Sequence, residues 1–147
     1  MRMIAALHKG AELKYVSHLD LMRTLQRAFR RAEIPLAFSK GFNPHPLLSF
    51  ATALSTGAWS EAEWFDVELT EPMEPEAFVS RVNGALPAGL SLSDGFVAPE
   101  GFGSLAAKML AADYQVVCTF DRPVTGEALE SALAALLSGF IFFIFSS

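Results

Sequence analysis

Apolar and polar positions change period several times along this chain, and each change marks a different element. Met1 to Leu7 is a short apolar run that reads as a buried strand, with a turn near Gly10. Leu13-Lys14-Tyr15-Val16 extends it or forms a second arm. From about Ser17 to Ala32 the period is helical: Met22, Leu25, Phe29 and Ala32 make one apolar stripe, while Arg23, Arg27, Arg30 and Arg31 gather on other faces. Pro35 stops this helix. Ile34 to Ser39 reads as extended chain, Lys40 to Pro46 as an irregular turn, and Leu47 to Leu54 as strand again. Trp64 to Leu69 alternates as a half-buried strand does. Pro75 to Leu86 is a second amphipathic helix with Phe78, Val82 and Leu86 inward, closed by the breakers Asn83-Gly84 and Pro87-Ala88-Gly89. Leu90 to Val97 is a further strand. The order β-α-β-β-α-β over residues 1–98 predicts an α+β fold, a ferredoxin-like antiparallel sheet with both helices on one face.

Pro99 to Ser104 has the composition of a linker, and residues 105–147 read as a partial second β-α-β unit. In that unit Tyr114 to Phe120 is strand-like, Thr125 caps a helix over Glu127 to Leu137, and Phe140 to Phe145 is a purely apolar stretch that suits a buried strand. Ala132 to Phe145 is almost uninterrupted apolar sequence, yet a membrane-spanning helix wants about 18 or more residues. No membrane partner is expected, and the end of this unit reads as truncated or altered.

Composition sharpens this picture in one respect. The chain is 52% hydrophobic and 18% charged, which suits a folded core, and its formal net charge is −5. That average hides an asymmetry. Residues 1–50 hold eight Lys/Arg against three Asp/Glu, a local +5, whereas residues 51–147 hold three against thirteen, a local −10. Screening removes contributions from beyond about 10 Å at ordinary salt, so an anion approaching the first segment meets a positive field. Cys118 is the only cysteine, which excludes an intramolecular disulfide and a self-contained Cys-ligated iron–sulfur cluster. The uninterrupted apolar run Ile4-Ala5-Ala6-Leu7, stopped by His8-Lys9-Gly10, is shorter than the about 7–15 residues of a secretory signal, and cytoplasmic residence is the default expectation.

Three features can carry chemistry. Ser17-His18-Leu19-Asp20 opens the first helix; capping accounts for Ser17 and Asp20, but not for His18, an imidazole placed where phosphate binding or proton exchange is favourable. In Ser39-Lys40-Gly41-Phe42-Asn43-Pro44-His45-Pro46, two prolines stiffen a loop that presents Phe42, Asn43 and His45. A turn interrupting an edge strand explains the glycine and prolines, though not a histidine between two prolines. Arg23, Arg27 and Arg30, with Arg31 beside them, follow i, i+4, i+7 spacing and suit a phosphate backbone or an anionic cofactor as well as they suit a solvated face. Glu61, Glu63, Asp66 and Glu68 read as the solvent face of a strand. The candidate anion- or RNA-binding set is therefore His18, Arg23, Arg27, Arg30, Arg31, Lys40, Phe42, Asn43 and His45, and His18, Asp20 and His45 form a candidate metal or acid–base set.

The stretch Tyr15-Val16-Ser17-His18-Leu19-Asp20 through Ala32, followed by Ile34-Pro35-Leu36-Ala37-Phe38-Ser39-Lys40-Gly41-Phe42-Asn43-Pro44-His45-Pro46, resembles the radical S-adenosylmethionine-linked proteins. This is a bacterial domain of unknown function encoded beside, or fused to, a radical S-adenosylmethionine protein. Phe65-Asp66-Val67-Glu68-Leu69, Asn83 and Leu86-Pro87-Ala88-Gly89-Leu90 extend the likeness over about the first hundred residues. It fades from Ser104 onward. The resemblance implies a partner that carries the iron–sulfur cluster and S-adenosylmethionine, with no cofactor in this chain. The reading that joins both lines is an accessory, non-catalytic module that presents an anionic substrate, structured RNA, to that partner. Its rivals are an enzyme or cofactor site built from His18, Asp20 and His45, and a pure protein-interaction module.

Overall fold

The computed structural model describes residues 1–144 and divides into two compact units, Met1–Ala112 and Asp113–Ser147. The first is a mixed α+β unit. Its strands are β1 (Arg2–Lys9), β2 (Leu48–Phe50), β3 (Ser60–Glu68) and β4 (Leu90–Val97), and its helices are α1 (His18–Arg31) and α2 (Pro75–Asn83). The strands form an open sheet in the order β2-β3-β1-β4, and every neighbouring pair is antiparallel.

β1 lies in the middle of the sheet, and both of its faces are covered. Met3, Ala5 and Leu7 point to one side, where they meet Leu21, Leu25 and Phe29 of α1 and Phe78 and Val82 of α2. Both helices thus pack on the same face. The Phe29 ring lies 6.0 Å from that of Phe65 in β3 and 5.8 Å from that of Phe78, so one aromatic side chain joins sheet, α1 and α2. Ile4 points to the other side and is buried with Ala51 and Leu105, while Trp64, Ala98 and Phe102 pack around them. The segment expected to be a linker is therefore fixed on the sheet. The Arg2 guanidinium and the Lys108 ammonium each lie 5.7 Å from the Phe102 ring centre, and Arg2 pairs with Asp66. The first unit runs to Ala112, past the boundary at 98 that composition suggests.

Helix α1 begins where the sequence places it. Ser17 accepts a hydrogen bond from the Asp20 amide at 3.2 Å, and the chain enters the helix from extended geometry. It ends with Glu33 at φ 51, the Glu33 amide bonding Arg30 O at 3.2 Å and the Ile34 amide bonding Phe29 O at 3.0 Å. This is a Schellman closure with a non-glycine residue in the left-handed position. Its buried stripe is Leu21, Leu25, Ala28 and Phe29; Met22 and Ala32, expected inward, lie half-buried at its flanks. Strand β2 is only three residues long, because after Ala51 bonds Trp64 O the chain leaves the sheet. Leu13 belongs to a short 3-10 turn, so no second arm forms there. On the outer edge, the Asn83 carboxamide bonds both the amide of Leu92 (2.7 Å) and its carbonyl (3.0 Å).

One buried charge ties the unit together. Lys9, 1% exposed, donates to Val16 O at 2.9 Å and to Ala58 O at 3.1 Å, joining the end of β1 to the chain entering α1 and to the chain entering β3. Burial pushes its pKa below the ordinary lysine value, and the carboxylate of Glu63 partly opposes that shift. Glu63 is itself buried, which departs from the solvent face expected for it.

The second unit differs more from expectation. Tyr114 to Phe120 forms no strand, since among the described residues of this unit there is no second strand to bond it. Thr125 caps as expected, its hydroxyl accepting from the Ala128 amide at 3.3 Å. Helix α3 (Gly126–Ile144) then takes in Phe140 to Ile144 of the stretch expected to be a buried strand. A run rich in Ala and Leu propagates helix readily, and one glycine costs only about 1 kcal/mol against Ala. Phe145 lies outside the described residues. No helix of the described residues is long and apolar enough to cross a membrane.

Replacing Lys9 with Met orphans two carbonyls and is expected to lower stability by about 2 kcal/mol or more in denaturant titrations. Because the folded-state pKa of Lys9 is depressed, the unfolded chain holds more protons between that value and the unfolded one. The wild type should therefore gain stability relative to Lys9→Met as pH rises toward 10.5. Parallel pH profiles for the two proteins would contradict this.

Candidate anion-binding interface

Packing of α1 decides what its polar side chains face. At about 100° per residue, Arg23, Arg27 and Arg30 fall within about 60° of one another and about 180° from the buried stripe. All three are exposed. Arg23 forms an ion pair with Asp20 at 3.4 Å, but both side chains are more than half exposed, and such pairs contribute little. The guanidinium groups of Arg27 and Arg30 make no hydrogen bond or ion pair with any described residue. Arg31 differs. Its guanidinium donates to Ala85 O, just past α2, while Arg81 of α2 donates to Ala32 O at 2.7 Å and Glu33 O at 3.0 Å. Arg31 therefore works with Arg81 to bind the two helix ends together, and the outward basic face consists of the other three.

The proline-bounded loop is a finger. At its base Ala37 donates to Glu68 O at 2.8 Å and Leu47 donates to Ala37 O at 2.9 Å, so it grows from the edge of the sheet beside β3. Higher up, Ser39 and His45 are clasped three times. The Ser39 amide bonds His45 O at 2.9 Å, the His45 amide bonds Ser39 Oγ at 3.1 Å, and that hydroxyl lies 2.9 Å from His45 Nδ1. This accounts for the histidine between prolines: its ring closes the finger. Beyond the clasp are Lys40, Gly41 at φ 140, Phe42, Asn43 and Pro44, all exposed. Phe42 stands clear of the protein at 113% relative exposure. Leaving that ring in water forgoes the about 1.5–3 kcal/mol that burying a Phe contributes.

Among the described residues no hydrogen bond joins His18, Asp20 and His45, and each makes contacts of its own. The His18 ring packs edge-on against Phe50 of β2, with centroids 5.1 Å apart, and its Nδ1 is shielded from solvent without a hydrogen-bond partner among the described residues. Asp20 Oδ2 accepts from the Ser17 hydroxyl at 2.8 Å, and its other oxygen faces Arg23. Among the described residues no three His, Cys, Asp or Glu side chains gather as a metal-binding group. A shallow groove beside the finger is lined by His45, Leu48, Ser49, Asp66 and Glu68, and its carboxylates make it a poor anion site. Sequence reasoning missed Ser39 as the partner of His45, Phe50 as the partner of His18 and Lys9 as a buried tether. None has a signal in spacing alone, since each depends on a contact that folding creates.

The family described as an uncharacterized protein conserved in bacteria (DUF2344) matches residues 2–142. The chain belongs to that family. The match covers the basic helix, the finger and most of α3. No curated protein matches the chain.

Removing the clasp should loosen the finger without unfolding the unit. In Ser39→Ala, faster hydrogen exchange is expected at the amides of Ser39 and His45, with global stability changed by about 1 kcal/mol or less. Unaltered exchange at both amides would show that the side-chain bonds do not order the tip.

Proposed function

We propose that this chain is an accessory, non-catalytic binding module that presents structured RNA to a radical S-adenosylmethionine protein. Supporting the RNA half is one observation above the rest: three arginines on the outward face of α1, two of them with no carboxylate among the described residues. Guanidinium groups in a row along a rigid helix suit successive backbone phosphates. Lys40 and Asn43 on the finger add exposed polar groups of the kind such an interface uses. Supporting the partner half is the likeness of Tyr15 to Ala32 and Ile34 to Pro46 to the radical S-adenosylmethionine-linked proteins. In this reading the iron–sulfur cluster and S-adenosylmethionine reside on the partner, which suits a chain with one cysteine. The strand order β2-β3-β1-β4, with both helices on one face, supports describing the platform as ferredoxin-like.

Saturable binding of a structured RNA, weakening as salt rises, is the expected result of a titration at several ionic strengths. Arg27→Ala/Arg30→Ala should flatten the plot of log affinity against log salt by about 2, at about 0.9 per lost phosphate contact. Absence of binding at low salt would end the RNA reading. Co-elution of the chain with a radical S-adenosylmethionine protein from the same bacterium, under anaerobic conditions, is expected to survive nuclease treatment. Separate elution would remove the partner half.

A further inference from the structure

Resting on that RNA reading, we infer that the finger recognises an unpaired nucleobase, so that the preferred RNA has single-stranded bases beside a duplex. The helix alone accounts for phosphate binding and calls for no aromatic group. Yet Phe42 is held fully in solvent at the end of a short hairpin closed by Ser39 and His45. Nothing lies within 4 Å of the position a side chain would take on Gly41, and its φ of 140 is one that other residues rarely adopt. Beyond the clasp, the turn at Gly41 is set by its backbone conformation and leaves the ring next to it unpacked. An aromatic ring presented this way has both faces free, and stacking on a base fits that geometry because every base offers a π face. Bases inside a duplex are already stacked, so only an unpaired base is available. Beside the ring, Asn43 offers an amide donor and acceptor suited to a base edge, and Lys40 a charge suited to the neighbouring phosphate.

The test is an anisotropy titration with two RNAs of equal phosphate count, one a hairpin with an unpaired loop and the other a blunt duplex, against the full chain. Phe42→Ala should weaken hairpin binding by about tenfold and leave duplex binding unchanged, since stacking acts per base and carries no charge. Phe42→Trp should bind the hairpin as tightly as the wild type or more so. If Phe42→Ala leaves hairpin affinity and its salt dependence intact, or weakens both RNAs equally, base recognition by the finger is wrong while the RNA reading stands. If the wild type binds neither RNA, both are wrong.

Discussion

Residues of a helix cannot choose their faces independently, and that coupling governs this molecule. Once Leu21, Leu25, Ala28 and Phe29 of α1 are seated on the sheet, Arg23, Arg27 and Arg30 have no direction left but outward. The seat is firm because Phe29 touches both Phe65 and Phe78. The same apolar contacts that hold the fold therefore set the position of its strongest unbalanced charge. A chain of net charge −5 can display a positive face because the helix separates its charges by direction, not only by sequence.

The ends of α1 show how such a face is kept in place. At its start, the Ser17 cap and the contact between His18 and Phe50 fix the first turn, while Lys9 holds the preceding carbonyl of Val16. At its finish, Arg31 and Arg81 each reach a carbonyl beyond the other helix. Two arginines thus serve architecture, and only their neighbours are free to meet a ligand. Residue type did not distinguish these roles. Arg31 and Arg30 are adjacent and chemically alike, and the difference is that one turns toward Ala85.

What could be read in advance follows the same division between local and non-local causes. Strand β4 and the start of α1 were legible to the residue, because alternation, capping and helical period are local properties of the chain. The inward stripe of α1 keeps Leu25 and Phe29 but has Leu21 in place of Met22 and Ala28 in place of Ala32, since these pairs are alike in apolarity and only the sheet selects between them. Tyr114 to Phe120 alternates like a strand, but a strand is defined by a neighbour, which sequence cannot supply. At the candidate site, the arginine row and the stiff loop were visible, whereas the contacts that His18, Asp20 and His45 make were not. Proximity in the list of reactive residue types says nothing about which of them fold toward each other: His18 meets Phe50, Asp20 meets Ser17 and His45 meets Ser39.

The bond between Asn83 and Leu92 carries a consequence for how this domain behaves in company. An outermost strand ordinarily shows a row of unmet donors and acceptors, an invitation to any other extended chain. Here a carboxamide from the neighbouring helix occupies that place in the middle of β4, satisfying one residue's amide and carbonyl together. Growth of the sheet by addition of a foreign strand is blocked at that point. In the proposed reading, meetings with other macromolecules run through the helix and loops, and this bond keeps the middle of the β4 edge out of them.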